Sequence, residues 1–243
     1  MPTVYSESTG SWDDMYGAKA HTTAATARNS TTYQFSSATI TNVLCHHAFI
    51  FGSTYIYRSF LSFDLSGQSG TCTEAILKLR FQTDVTSGFV TYKGTTVYVC
   101  KVNTSESGFL NAGIYNDLYG WVSSGSYDGE VTNYGTMAKS GTGAEQVTLT
   151  LNSDGLSAVN SAVGSGRFQI ALLTSDDYLS NIGTNGLGDP DGYGGIVEYE
   201  GVPIASGEDA SASNRPQLEL TLEEEGEETD WSTYNATFFG SNF

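Results

Sequence analysis

Residues 55 to 63 read Tyr55-Ile56-Tyr57-Arg58-Ser59-Phe60-Leu61-Ser62-Phe63, and the fold turns on this stretch. Side chains two apart share a face of a strand, so Tyr55, Tyr57, Leu61 and Phe63 lie with Ser59, opposite Arg58, Phe60 and Ser62. That is a strand with at least one buried face. Asp64, Ser66 and Gly67 follow as turn formers, and Ala75, Leu77, Leu79 and Phe81 then alternate with Ile76, Lys78, Arg80 and Gln82. A second strand follows the first, and the core is expected to hold Tyr57, Leu61, Phe63, Leu77 and Leu79.

Outward from this pair, the same patterning places strands near residues 32–41, 95–102, 146–151, 167–174, 195–199 and 216–222, spaced by Gly- and Ser-rich turns. Tyr (15), Gly (28) and only 15% charged residues favour strands joined by turns over helices. The expectation is an all-β, two-sheet antiparallel sandwich. Leu156, Val159 and Val163 recur at helical spacing, with Asp154 placed to cap the start and Gly164 the end, which gives one short helix.

The formal net charge of −17, from 27 acidic and 10 basic residues, repels a phosphate backbone and an anionic membrane surface, so neither nucleic acid nor membrane is expected as a partner. Cys45, Cys72 and Cys100 cannot all pair within one chain and stand in no metal-ligand spacing, which leaves buried free thiols as the expectation. The first residues have neither a basic nor an apolar leader region, and no apolar run reaches bilayer length. A chain made and kept in a cytosol, or assembled there, without signal peptide or transmembrane segment, is the corresponding expectation.

Chemistry-bearing motifs are few. Cys45, His46 and His47 adjoin, but neighbours on a strand point to opposite faces, so the three cannot converge on a nucleophile or metal. No nucleophile elbow, phosphate-binding loop or zinc-protease motif is present, and no catalytic residue or cofactor is expected. Asp189 to Glu200 partly matches a calcium loop through Asp189, Asp191, Gly194 and Glu200, yet Tyr193 replaces an oxygen ligand and no helix patterns flank it. The expectation is a plain Gly-rich loop entering a strand, and no metal.

Two connections, 123–145 and 181–194, exceed ordinary turn length and are the first candidates for contact surfaces. After residue 222 the chain turns acidic through Asp230 and then aromatic without charge, through Trp231, Tyr234, Phe238, Phe239 and Phe243. The division is therefore a sandwich over 1–222 and an extended C-terminal arm over 223–243. The arm's five aromatics are the expected docking residues for another subunit or protein, because such rings lose free energy in water.

Three segments carry a family resemblance: Tyr57-Arg58-Ser59-Phe60-Leu61-Ser62-Phe63-Asp64-Leu65-Ser66, Ala75-Ile76-Leu77-Lys78-Leu79, and Arg215-Pro216-Gln217-Leu218-Glu219-Leu220. In this order they resemble the DNRLRE-type jelly-roll-like domains, which are related to carbohydrate-binding modules and found in phage virion proteins. The resemblance implies the fold and a non-catalytic character, and implies no ligand residue. It points to a non-enzymatic phage virion structural protein, a capsid decoration or head or tail fibre subunit, whose partners are other virion proteins and itself as a homo-oligomer. The alternative is a carbohydrate-binding module that recognises polysaccharide, or surface glycans, through exposed aromatics such as Tyr115, Tyr119, Trp121, Tyr127 and Tyr134. Arg58 and Asp64, on one face of their strand, are read as framework charges.

Overall fold

The computed structural model describes residues 1–8, 14–21, 24–30, 35–37, 42–50, 53–83, 86–87, 90–93, 96–103, 118, 131–179 and 197–223. Along them run β1 (Thr3–Tyr5), β2 (Met15–His21), α1 (Ala24–Arg28), β3 (Phe35–Ser37), β4 (Asn42–Ile50), β5 (Ser53–Asp64), β6 (Thr71–Phe81), β7 (Thr86–Ser87) and β8 (Val90–Lys93). Next come β9 (Val97–Lys101), β10 (Asn133–Met137), β11 (Glu145–Thr150), α2 (Ser153–Ala162), β12 (Arg167–Thr174), α3 (Ser175–Tyr178), β13 (Val197–Ala205) and β14 (Gln217–Glu223). The chain is an all-β protein of two antiparallel sheets with short helices.

One sheet runs β1–β14–β6–β11, with Leu218 and Leu149 both opposite Leu77. The other runs β2–β5–β12–β9–β10, with Ile170 opposite Leu61. β5 is long enough to hold two partners on one edge, β4 along its first half and β12 along its second. β4 pairs β13, which meets the end of β6 through Ile204 and Phe81, so this ribbon bridges the sheets at a corner. β8 lies parallel to β13, while every other described pair is antiparallel.

The alternating residues make the core. Leu61, Phe63 and Ile170 of one sheet and Leu77, Leu79, Leu218 and Leu220 of the other are fully buried, and Phe63 meets Phe168 at 6.3 Å between ring centroids. The reverse face of the β5 sheet is buried as well, where Phe60, Ala171, Leu173 and Cys100 form a second cluster with Met15, Leu118, Val131 and Tyr178. Two buried faces explain why β12 reads Phe-Gln-Ile-Ala-Leu-Leu without clear alternation.

Several expectations are corrected. Tyr57 is half-buried, stacked on Tyr55 at 6.5 Å, because at that end of β5 the covered face is the even one of Thr54 and Ile56. The cap of α2 is Asn152, whose side chain accepts from the Asp154 and Gly155 amides, and Asp154 is a first-turn residue. Gly164, at φ +74°, does end the helix. There are three helices among the described residues instead of one, since α1 and α3 are too short to show a period. β10 falls inside the 123–145 connection, where Gly135 at φ +138° bulges the strand and leaves room for Leu149.

The N-terminal segment belongs to the sandwich. β1 pairs β14, the Glu7 amide bonds the Ser62 carbonyl at 2.9 Å, and the Asp14 carboxylate accepts from Ser6 and from the Gly207 amide. It therefore crosses from one sheet to the other.

Leu77→Ala removes a side chain facing strands on both sides, and is expected to cost about 2 to 5 kcal/mol in chemical denaturation. A cost below about 1 kcal/mol would show that Leu77 does not occupy the centre of the core.

Candidate functional site

Arg58 on β5 is 0% exposed and, in the middle of a sheet, requires a counter-charge. Asp177 of α3 supplies it, bidentate, with Nε at 2.6 Å from Oδ2 and Nη2 at 2.9 Å from Oδ1. Arg28, from α1, lies against the same carboxylate at 3.2 Å and donates to the Asp177 and Tyr178 carbonyls. Arg58 also donates to the Arg28 carbonyl at 3.1 Å, and Thr174 caps α3 by accepting from the Asp177 amide. Arg58 is thus framework, as its position in the strand implies. Its partner is Asp177 and not Asp64, which instead caps a turn at Ser66 and lies 3.5 Å from Arg167.

The thiols lie close to this knot. Cys45 and Cys100 are fully buried, and burial first, then the nearby Asp177 carboxylate, pushes both thiols up against a smaller opposing effect of Arg58. Cys72 is raised too, chiefly by burial. All three are free and none has the lowered pKa of a nucleophile. Among the described residues, no group of three His, Cys, Asp or Glu side chains is placed to hold a metal ion.

The remaining candidate is a cleft beneath α2. A cavity of about 320 Å³ lies between this helix and the ends of β9, β10 and β12, lined by Lys101, Tyr134, Ala158, Ser161, Phe168 and Gln169 among others. A second, of about 250 Å³, shares Lys101, Tyr134, Ala158 and Ser161 and adds Thr132, Asp154 and Ser157. Tyr134 is placed by its neighbours: its ring lies on Phe168 at 5.6 Å, and α2 rests over it at Gly155, where a Cβ would come within 3.0 Å of the Tyr134 Cβ. The residue is 1% exposed, and its hydroxyl is not among the buried polar atoms left without a partner. Burial, with the Asp154 charge second, pushes its ionisation well up, so it stays a neutral phenol.

The sequence-derived candidates distribute unevenly over this structure. Trp231, Tyr234, Phe238, Phe239 and Phe243 lie outside the described residues, as do Asp189, Asp191, Tyr115, Tyr119, Trp121 and Tyr127. Glu200 is in β13, opposite His47. Tyr134 is described, and it is buried, not an exposed stacking ring. The residues that sequence reading missed are Asp177 and the Tyr134–Asp154–Lys101 grouping, whose members come from separate elements. No protein-family model matches the chain, and no curated protein matches it.

Two outcomes follow from this geometry. Asp177→Ala leaves two buried guanidinium groups without their carboxylate and is expected to cost about 3 to 5 kcal/mol, measured by denaturation; a loss below about 1 kcal/mol would show the knot to be dispensable. A thiol reagent at about pH 8 is expected to label none of the three cysteines in the folded chain and all three after unfolding. Because the folded thiols hold their protons to higher pH than the unfolded ones, their contribution to stability is complete below about pH 8.5 and is lost as pH rises above it.

Proposed function

We propose that this chain is a non-enzymatic structural protein of a phage particle, a surface-exposed β scaffold such as a capsid decoration or fibre subunit, with other virion proteins and a second copy of itself as partners. The observation that carries the reading is the Arg58–Asp177–Arg28 knot. These three buried charges are committed to holding strand and helices together, so the arginine of the family-like segment serves the fold in this reading. Other ion pairs act alike: Arg167 clamps Glu7 and Lys78 pairs Glu219, each joining neighbouring strands or the N-terminal crossing.

Supporting this, the thiols are buried and raised, and the exposed large hydrophobics among the described residues are Met1 and Tyr5, the latter 44% exposed. The acidic then aromatic arm of residues 223–243 supplies the docking element in this reading.

Native particles purified on a density gradient provide the test. The chain is expected to co-purify with them in fixed ratio and to bind antibody on the intact outer surface, and truncation after Glu223 is expected to abolish incorporation while leaving the melting temperature of the sandwich within about 2 °C. Recovery of the chain solely in the particle-free fraction overturns the proposal.

A further inference from the structure

We propose that β11 is a docking edge for a second copy of this chain, the two β11 strands pairing antiparallel about a two-fold axis at Thr148 so that one sheet runs through both copies. This names the surface for the self-association in the reading above and rests on that part of it alone.

β11 pairs β6 along one edge, from Glu145 opposite Phe81 to Thr150 opposite Ile76, and no described strand pairs its other edge. In an antiparallel pair, alternate residues turn both backbone groups toward the partner strand, and the residues between them turn theirs away. The Leu151 amide bonds the Ala75 carbonyl at 2.9 Å, so Val147 and Leu149 bond toward β6, and Gln146, Thr148 and Thr150 direct amide and carbonyl outward. Val147 and Leu149 point into the sandwich, yet both are only half-buried, whereas Leu77 and Leu79 opposite them are fully buried. A further strand along this edge would satisfy the outward backbone and cover the two apolar side chains.

Other edges carry protection that β11 lacks. β1 and β3 are three residues long and β7 two, too short to template a neighbour. β10 is bulged at Gly135, and its Tyr134 carbonyl is taken by the Asn152 amide. β11 has six residues in unbroken register, without proline, glycine, lysine or arginine. Its one charge, Glu145, is folded back onto the Ser140 amide at 2.9 Å and hydroxyl at 2.8 Å.

The occupant follows from charge and register. Two chains of net charge −17 repel, and they approach best through surfaces that set no charge against its like. Pairing β11 with itself about Thr148 sets Thr148 opposite Thr148, Gln146 opposite Thr150, and Val147 opposite Leu149, with Glu145 opposite the apolar Leu151. All three outward residues then fall in doubly hydrogen-bonded pairs, with polar side chains beside polar and apolar beside apolar. An axis midway between two residues would set the outer face of one strand against the inner face of the other.

Sedimentation velocity of the full chain tests this. One strand pair is small beside a standard interface of roughly 1,600 Å², so the mass is expected to rise from one chain toward two between about 1 and 300 μM. Raising sodium chloride from about 0.05 to 0.5 M is expected to tighten the association, because salt screens the repulsion of the two chains. Thr148→Lys, which sets like charges face to face across the axis, is expected to weaken it about ten-fold or more, and Thr148→Val to leave it within about three-fold. Amide hydrogen exchange needs no variant and decides the matter should Thr148→Lys fail to fold: the Gln146, Thr148 and Thr150 amides are expected to exchange fast in dilute solution and slowly in concentrated solution. A single-chain mass at every concentration overturns the proposal, as does association that Thr148→Lys leaves unchanged. Protection of the three amides in dilute solution shows the edge covered within its own chain, and overturns it too. Particle incorporation is not read in these experiments, so their failure leaves the scaffold proposal to its own test.

Discussion

The structure depends on one buried charge finding its opposite. Arg58 sits in the middle of β5, and a guanidinium there is tolerable only with the Asp177 carboxylate bidentate on it. That requirement fixes more than a pair of side chains. α1 and α3 span five and four residues, lengths at which an isolated helix does not persist in water. Each contributes to the same knot, α1 through Arg28 and α3 through Asp177, so the helices exist because the charge holds them against the sheet. The knot lies on the reverse face of β5, away from the interior between the sheets. It therefore anchors the covering layer that makes the β5 sheet buried on both sides.

This double burial governs what the molecule offers to its surroundings. A sandwich with one wet face per sheet leaves both outer faces for contact, whereas here the reverse of the β5 sheet is occupied by Met15, Leu118, Val131 and Tyr178. The outer face of the β1–β14–β6–β11 sheet carries mostly polar residues, Lys78 paired with Glu219 among them, beside Ile76 and Tyr5. Among the described residues, space remains where elements meet imperfectly. The cleft under α2 is such a place, since Ala158 and Ser161 give the helix a small-residue side along it, while Gly155 packs closely on Tyr134.

How much of this was legible in the sequence depends on the range over which each signal acts. The period of two in Leu61, Phe63, Leu77 and Leu79 is local and strong, and these residues are in the core. The same rule misplaced Tyr57, because alternation says which residues share a face and not how far along a strand the opposing sheet extends. Asn133 to Met137 carries a glycine at positive φ, which breaks alternation, so β10 was hidden within a connection. Asp177 is 119 residues from Arg58 and stands in a Ser-Asp-Asp run that reads as a turn; nothing nearby marks it as a partner. The cleft was less legible still, because Lys101, Tyr134 and Asp154 come from three elements and each reads alone as an ordinary strand or helix residue.

The pairing of β1 with β14 has a topological consequence. The strands run antiparallel, with the Leu220 amide bonded to the Pro2 carbonyl at 3.0 Å, so residue 1 and the end of β14 leave the sandwich from the same edge. The described polypeptide is in this sense nearly a closed ring. A short joint between its two ends would close it, and new ends could be opened at the exposed tip between β10 and β11 without parting any strand pair. Whatever hangs from either end, whether an appended segment or an anchor to a solid support, emerges beside the other, and a pull applied between the two would load one short strand pair instead of the whole sandwich.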